Sequence, residues 1–375
     1  MERLMGTDIR WEIQGDTLYL DGSGPMNFLP KLDSDILDIP WYYLDFDHVS
    51  IGEGITSIGT EAFHTSDLVE VEIPDSVETI GEDAFCDCKS LQEVRFGNGV
   101  KAILGGAFSH CTTLDDVVLG ESVESIGFDS FGSCPGLTRF ESSPCLKYIG
   151  GRAFNRDDSL DSICLPATLE TVVDNPFSYC LNLRSIDVDD GNENFKSFAG
   201  SLYDSDMKCL IAGCAGYSDV PEEVMRLGNN ALAGTAIEEL ILPENVKSLG
   251  TQVCRCCFNL RNLDLGNVRT VPAEAFSLCE SLEKVNLGMC RIIEPRAFAD
   301  CRSLRKVDLP GTLESVGTGA FLKTNLEEIT IPEALMDIGP MAFYSESLRK
   351  VSMHFPIGDE DICFPKQAEI DYLDD

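Results

Sequence analysis

Histidine is scarce in this 375-residue sequence: His48, His64, His110 and His354 are all there are, and no two stand at the spacing by which a local motif gathers ligands around a metal. Basic residues are also few, 28 Lys and Arg against 64 Asp and Glu, for a formal net charge of −36. That field repels phosphate backbones and anionic lipid surfaces, so nucleic acid is excluded as a partner. No apolar run approaches the length that spans a bilayer, and residues 1–20 hold no basic segment followed by an apolar stretch. Neither membrane insertion nor a signal peptide is expected, and these residues by themselves suggest a cytoplasmic protein. Also missing are Asn-x-Ser/Thr acceptors, Gly-x-Ser-x-Gly, a Gly-Lys-Ser/Thr phosphate loop and His-Glu-x-x-His. No catalytic residue, metal ligand or cofactor site is therefore expected, and the many carboxylates read as a solvated exterior.

What the chain has in abundance is repetition. The stretch Ile80 to Phe96, IGEDAFCDCKSLQEVRF, returns along most of its length. Aligned on its Ala-Phe pair, the anchors are Phe63, Phe85, Phe108, Phe131, Phe154, Phe177, Leu232, Cys254, Phe276, Phe298, Phe321 and Phe343, spaced by 22 or 23 residues except between Phe177 and Leu232. A fixed period of this length marks a unit that cannot bury its apolar face alone and stacks on its neighbours. About twelve solenoid turns are expected.

Each turn carries the same parts. Leu91, Val94 and Phe96 end on a spacing of two, which fits a short strand with alternate side chains inward, and successive strands then pair in parallel. Gly stands four residues before the anchor in eight turns, among them Gly81, Gly150 and Gly250, where a tight bend or a close backbone approach excludes a side chain. Pro74, Pro166, Pro243, Pro310 and Pro332 end strands. The segment through the anchor is short, and a helical or 3₁₀ arc is expected for it.

Seven of the sixteen cysteines follow the same period. Cys88, Cys111, Cys134, Cys180, Cys257, Cys279 and Cys301 lie three residues after the anchor, and only in turns whose next Leu lies six after it; Asp157 replaces the thiol in one such turn. A thiol tied to the longer loop is a buried plug, reduced and free of metal.

The pattern V-x-x-I-G-x-x-A-F-x-x-C-x-x-L-x-x-V-x-I-P resembles that of the BspA-like bacterial leucine-rich repeat proteins over residues 50–355, and WEIQGDTLYLDGSGPM is similar to the lead-in before such arrays. The resemblance implies an α/β, β-rich leucine-rich-repeat parallel solenoid, no catalytic residues, and binding of host or neighbouring-cell proteins, commonly from the cell surface.

The expected organisation is a cap and lead-in loop at 1–48, six repeats at 49–187, an insert at 188–224, six repeats at 225–353, and a C-terminal cap and acidic tail at 354–375. Residues 9–20 read as a hairpin covering the open end. Trp41, Tyr42 and Tyr43 read as packing against it. The insert reads as a hairpin projecting from the array, Ser201 to Tyr203 pairing with Lys208 to Ala212. Phe355 and Phe364 are expected to cap the last turn, and the acidic end to be solvated.

Strand positions between the inward anchors are free of packing duties, and over three such columns the first six turns hold eight acids against three bases, the last six seven against six. The function expected is recognition of a protein partner by this face, with a monomeric chain and with Lys284, Arg305, Lys306, Arg349 and Lys350 as a basic stripe. An enzyme sited in the insert or N-terminal segment, and a self-associating structural protein, are the alternatives.

Overall fold

The computed structural model describes residues 1–28, 38–354, 356 and 363–373. The chain divides into two units, Met1–Lys196 and Ser197–Asp375.

In the first unit every turn contributes two strands, where the sequence pattern had shown one. The long strands Glu70–Ile73, Glu93–Phe96, Asp116–Val118 and Arg139–Glu141 form one parallel sheet, continued in kind by the pair Ser162–Leu165 and Ser185–Val188. The second strand is the Ile or Val five residues before the anchor with the residue preceding it: Thr79–Ile80, Ala102–Ile103, Ser125–Ile126, Tyr148–Ile149 and Thr171–Val172 extend a seven-stranded sheet that begins at Gly24–Pro25 and Ile55–Ile58. Gly81 and Gly150 sit where a Cβ would come within 2.7 Å and 2.6 Å of the backbone of the preceding turn, so close approach, not an unusual φ, requires glycine there.

The expected helical arc is absent from the repeats. Residues two before and two after the anchor, such as Glu61 and Thr65, Asp83 and Asp87, or Arg152 and Arg156, lie in the left-handed region. Their amides point out of the turn: Glu61, Phe63 and Thr65 donate to Glu82, Ala84 and Cys86 of the next turn, while Ala62, His64 and Ser66 close short bonds within their own. A helix would use every amide internally. Here alternate amides cross to the neighbour, and that ladder offsets the 1–2 kcal/mol or so that each left-handed side-chain-bearing residue costs.

Between the sheets runs a column of rings. Phe63, Phe85, Phe108, Phe131, Phe154 and Phe177 stack at centroid separations of 5.0 to 5.8 Å. Trp41 extends it by one, stacked on Phe63 at 6.2 Å with its indole nitrogen donating to the Ala62 carbonyl at 2.7 Å. The lead-in thus supplies a seventh turn: Arg10–Gln14 and Thr17–Asp21 form the expected hairpin, and the latter pairs in parallel with His48–Ile51. Of the aromatic triplet only Trp41 packs; Tyr42 and Tyr43 are exposed.

The second unit has six turns, from Leu232 to Phe343, with long strands such as Lys284–Asn286 and Lys350–Met353. Its hairpin, Ser201–Asp204 with Cys209–Ala212, does not project as expected. Cys209–Ala212 pairs in parallel with Arg226–Leu227, and Leu202, Tyr203 and Leu210 are buried. Part of the acidic end is likewise built into the array: Glu369–Tyr372 pairs in parallel with Lys350–Met353, and Phe364 stacks on Phe343 at 5.7 Å. Phe355 lies outside the described residues.

Candidate functional site

In the long strands Glu70–Ile73, Glu93–Phe96, Asp116–Val118 and Arg139–Glu141 the second residue is buried between two exposed ones, as in Asp116, Val117 and Val118. Parallel in-register pairing then aligns the exposed residues in columns. In the first unit Glu70, Glu93, Asp116 and Arg139 form one, and Glu72, Arg95, Val118 and Glu141 the other. Stacking Glu70, Glu93 and Asp116 at a strand spacing near 4.8 Å places like charges side by side, which destabilises the sheet. Arg95 pairs with Glu93 at 2.8 Å and Arg139 with Asp116 at 3.1 Å, whereas Glu70 and Glu72 hold no ion pair among the described residues. Two open grooves follow the strands here, one of about 950 Å³ over Gln92, Glu93, Arg95, Asp115 and Asp116, the other of about 110 Å³ over His48, Glu70 and Glu72. The hydrogen bond that His48 donates to the Asp47 carboxylate raises the pKa of the imidazole, and the Coulombic pull of Asp47, Asp16 and Glu70 adds to it.

The five residues of the basic stripe are distributed less simply. Lys284 and Lys350 occupy strand positions of the second unit, while Lys306 lies in residues 305–309, which form no strand. Lys306 pairs with Asp308 at 3.6 Å, Arg305 with Glu327 at 3.7 Å and Lys350 with Asp371 at 2.9 Å. The Arg349 guanidinium donates to the Glu346 and Leu348 carbonyls. Lys284 has no ion pair among the described residues. A groove of about 260 Å³ brings Lys306 and Lys350 together with Asp308 and Glu328.

The ladder cysteines are buried, and the structure assigns each a bond. Sγ of Cys88, Cys111, Cys134 and Cys180 donates to the carbonyl of the anchor one turn back, Phe63, Phe85, Phe108 and Phe154, at 2.9 to 3.2 Å. Cys257, Cys279 and Cys301 repeat this with Leu232, Cys254 and Phe276. The thiol is an added donor: the carbonyls of Phe85, Phe108, Cys254 and Phe276 each accept a backbone amide of their own turn as well. Burial holds the Cys88, Cys134, Cys180 and Cys279 thiols well above their usual pKa, so they stay protonated. Asp157, in the one longer-loop turn without the thiol, accepts from the Cys134 amide at 2.8 Å, and burial drives its carboxyl pKa well above the ordinary range.

On the arc side the repeat makes a juxtaposition that local spacing hides. His64 stands one residue after its anchor and Cys86 one after the next, so the period itself brings His64, Cys86 and Asp87 together with ligand atoms within 4.8 Å of one another. Asp16, Asp47 and His48 form a second, more exposed group.

Comparison with known proteins gives a consistent result. The family model for the BspA type leucine-rich repeat region matches in six copies, over residues 36–157, 84–202, 214–290 and 270–359. In fold the chain is similar to a leucine-rich repeat protein from Eubacterium ventriosum, with 23% identity over 94% of this chain and 95% of that one and a TM-score of 0.65. A leucine-rich cell surface protein from Faecalibacterium prausnitzii shares 21% identity over 95% and 96% of the two chains, with a TM-score of 0.63. The pneumococcal vaccine antigen PcpA shares 19% over 98% and 97%, with a TM-score of 0.64. No curated protein matches.

Proposed function

Because the chain belongs to the BspA-type leucine-rich repeat family, we propose that it is a non-catalytic scaffold or adhesion-type module that recognises a protein partner on the exposed face of its long strands. The observation carrying this proposal is the contrast between the two sides of each strand. Inward residues repeat as Val, Ile, Leu or Phe, whereas outward residues vary in charge and size and leave open grooves over the sheet. Side chains with no packing role, on a rigid sheet broad enough for a protein surface, are the usual material of recognition in repeat proteins.

Within this face the stripe of Lys284, Arg305, Lys306, Arg349 and Lys350 is proposed as the contact of the second unit. On a chain of net charge −36 it attracts an acidic partner surface against the prevailing field. The test is a partner captured by the intact chain, identified and purified, then titrated against wild type and against Lys284→Glu with Lys306→Glu. Loss of affinity and on-rate with a steep salt dependence, at unchanged melting, supports the stripe. Unchanged affinity and on-rate overturn it.

A further inference from the structure

We propose that His64, Cys86 and Asp87, on the arc side of the first unit, form a site for one thiophilic divalent cation of the zinc type, with an open coordination position.

The site is built by the stacking of two turns. Phe63 and Thr65 donate their amides to the carbonyls of Ala84 and Cys86, at 2.7 and 2.8 Å, so the two arcs are clamped on both sides of His64. Thr65 and Asp87 share the same left-handed kink, φ 60° and 59°, so the side chains just before them leave their arcs in the same sense. The imidazole, thiol and carboxylate atoms lie within 4.8 Å of one another, and all three residues are half-buried. A tetrahedral cation holds sulfur and nitrogen donors about 3.5 Å apart. Rotamer adjustment of about an ångström closes that difference without moving the clamped backbone.

The chemistry of the donors also fits. Cys86 is not one of the ladder thiols, and its Sγ makes no hydrogen bond among the described residues. Asp83 and Asp87 lie close by and make the recess locally anionic, which favours a cation. On binding a divalent cation the thiol releases its proton to solvent, and the thiolate is held by the metal. The competitor is Lys89, 3.3 Å from Asp87 and largely exposed; such a pair is weak and gives way. The corresponding position after the anchor in the following turns holds Ser109, Gly132, Asn155 and Ser178, none a soft donor. The group of Asp16, Asp47 and His48 lacks a thiol, and its imidazole is already held by Asp47 at 2.6 Å.

The experiment titrates the intact, phosphine-reduced, metal-free chain with Co²⁺. The expected result is a single equivalent bound with a thiolate-to-cobalt charge-transfer band in the near ultraviolet, displaced by Zn²⁺. Cys86→Ser should abolish the band, and His64→Gln should weaken cobalt binding by about tenfold or more, with far-ultraviolet circular dichroism and melting unchanged. His64→Gln, which removes no buried group, serves as the folded variant should Cys86→Ser melt early. A band that persists in Cys86→Ser, an unchanged affinity in His64→Gln, or absence of the band from wild type at saturating Co²⁺ overturns the proposal.

Discussion

The two units solve the same packing problem with different materials. In the first, the interior column is aromatic throughout, from Trp41 to Phe177. In the second it opens with Leu232 and Cys254 and becomes aromatic only at Phe276. The missing volume is supplied by the hairpin and the segment after it: Tyr203 and Leu210 of the one and Tyr217 of the other belong to the same buried cluster as Leu232 and Cys254. Gly213 marks how tight the fit is: a Cβ there would stand 2.4 Å from the Leu232 side chain. Interiors are packed to constant density, so an end of the array that receives two tyrosines must carry smaller anchors. The break in the period is thus the start of the second core.

The largest expected effect tests this directly. Replacing residues 188–224 by a short flexible linker should abolish the cooperative melting of the second unit while leaving hydrogen-exchange protection of the first intact; retained protection in both would mean the hairpin is dispensable. Next, Phe131→Ala should cost about 3 to 5 kcal/mol in denaturant unfolding, because both stacked neighbours lose a ring. Cys254→Phe, which makes the second unit imitate the first, should destabilise by about 1 to 3 kcal/mol through overpacking. A stabilising Cys254→Phe would show that the anchor is small for some other reason.

A smaller effect concerns Asp157. Its carboxyl pKa is raised in the fold by burial, so the folded state holds its proton more tightly than the unfolded chain. The contribution is fully present below the ordinary value near 3.8 and declines as pH rises toward the raised one. Asp157→Cys, which restores the donor found in the neighbouring turns, should therefore stabilise by roughly 1 to 3 kcal/mol at neutral pH, with the advantage shrinking toward pH 4. Unfolding titrations of both proteins across that range check the sign. The smallest effect is at Lys284, exposed and without an ion pair, where reversal to Glu should change stability by no more than about 0.5 kcal/mol, so that any loss of binding is a loss of contact.

How much of this was legible depends on which atoms carry the information. Side-chain repetition is written directly in the sequence: the anchors, the glycines that admit a neighbouring backbone and the cysteines that follow the longer loop can each be read from spacing, because a residue that must fill the same hole in every turn recurs at the period. The family resemblance and the parallel solenoid rest on that. Backbone hydrogen bonding is not written there, since every residue has the same amide. That the arc amides of Glu61, Phe63 and Thr65 reach the next turn, and so forbid a helix, was decided by the stacking. The same holds for the hairpin and the acidic end: both have free strand edges beside them, and an unpaired edge recruits any extended segment within reach, whatever its charge.

The candidate sites divide along the same line. The outward columns were visible as the positions left over from packing, and their charge balance with them. The ion pairs of Lys306, Arg305 and Lys350 were not, because they depend on side chains meeting across turns. His64 and Cys86 are the sharpest instance. They stand 22 residues apart in the chain, a separation that means nothing to a local ligand motif. The sequence by itself determined that such a separation is one turn, through the period that buries the phenylalanines. Only the tertiary structure decided that one turn is a contact, because the amides clamp each arc against the next and leave the two side chains facing the same recess.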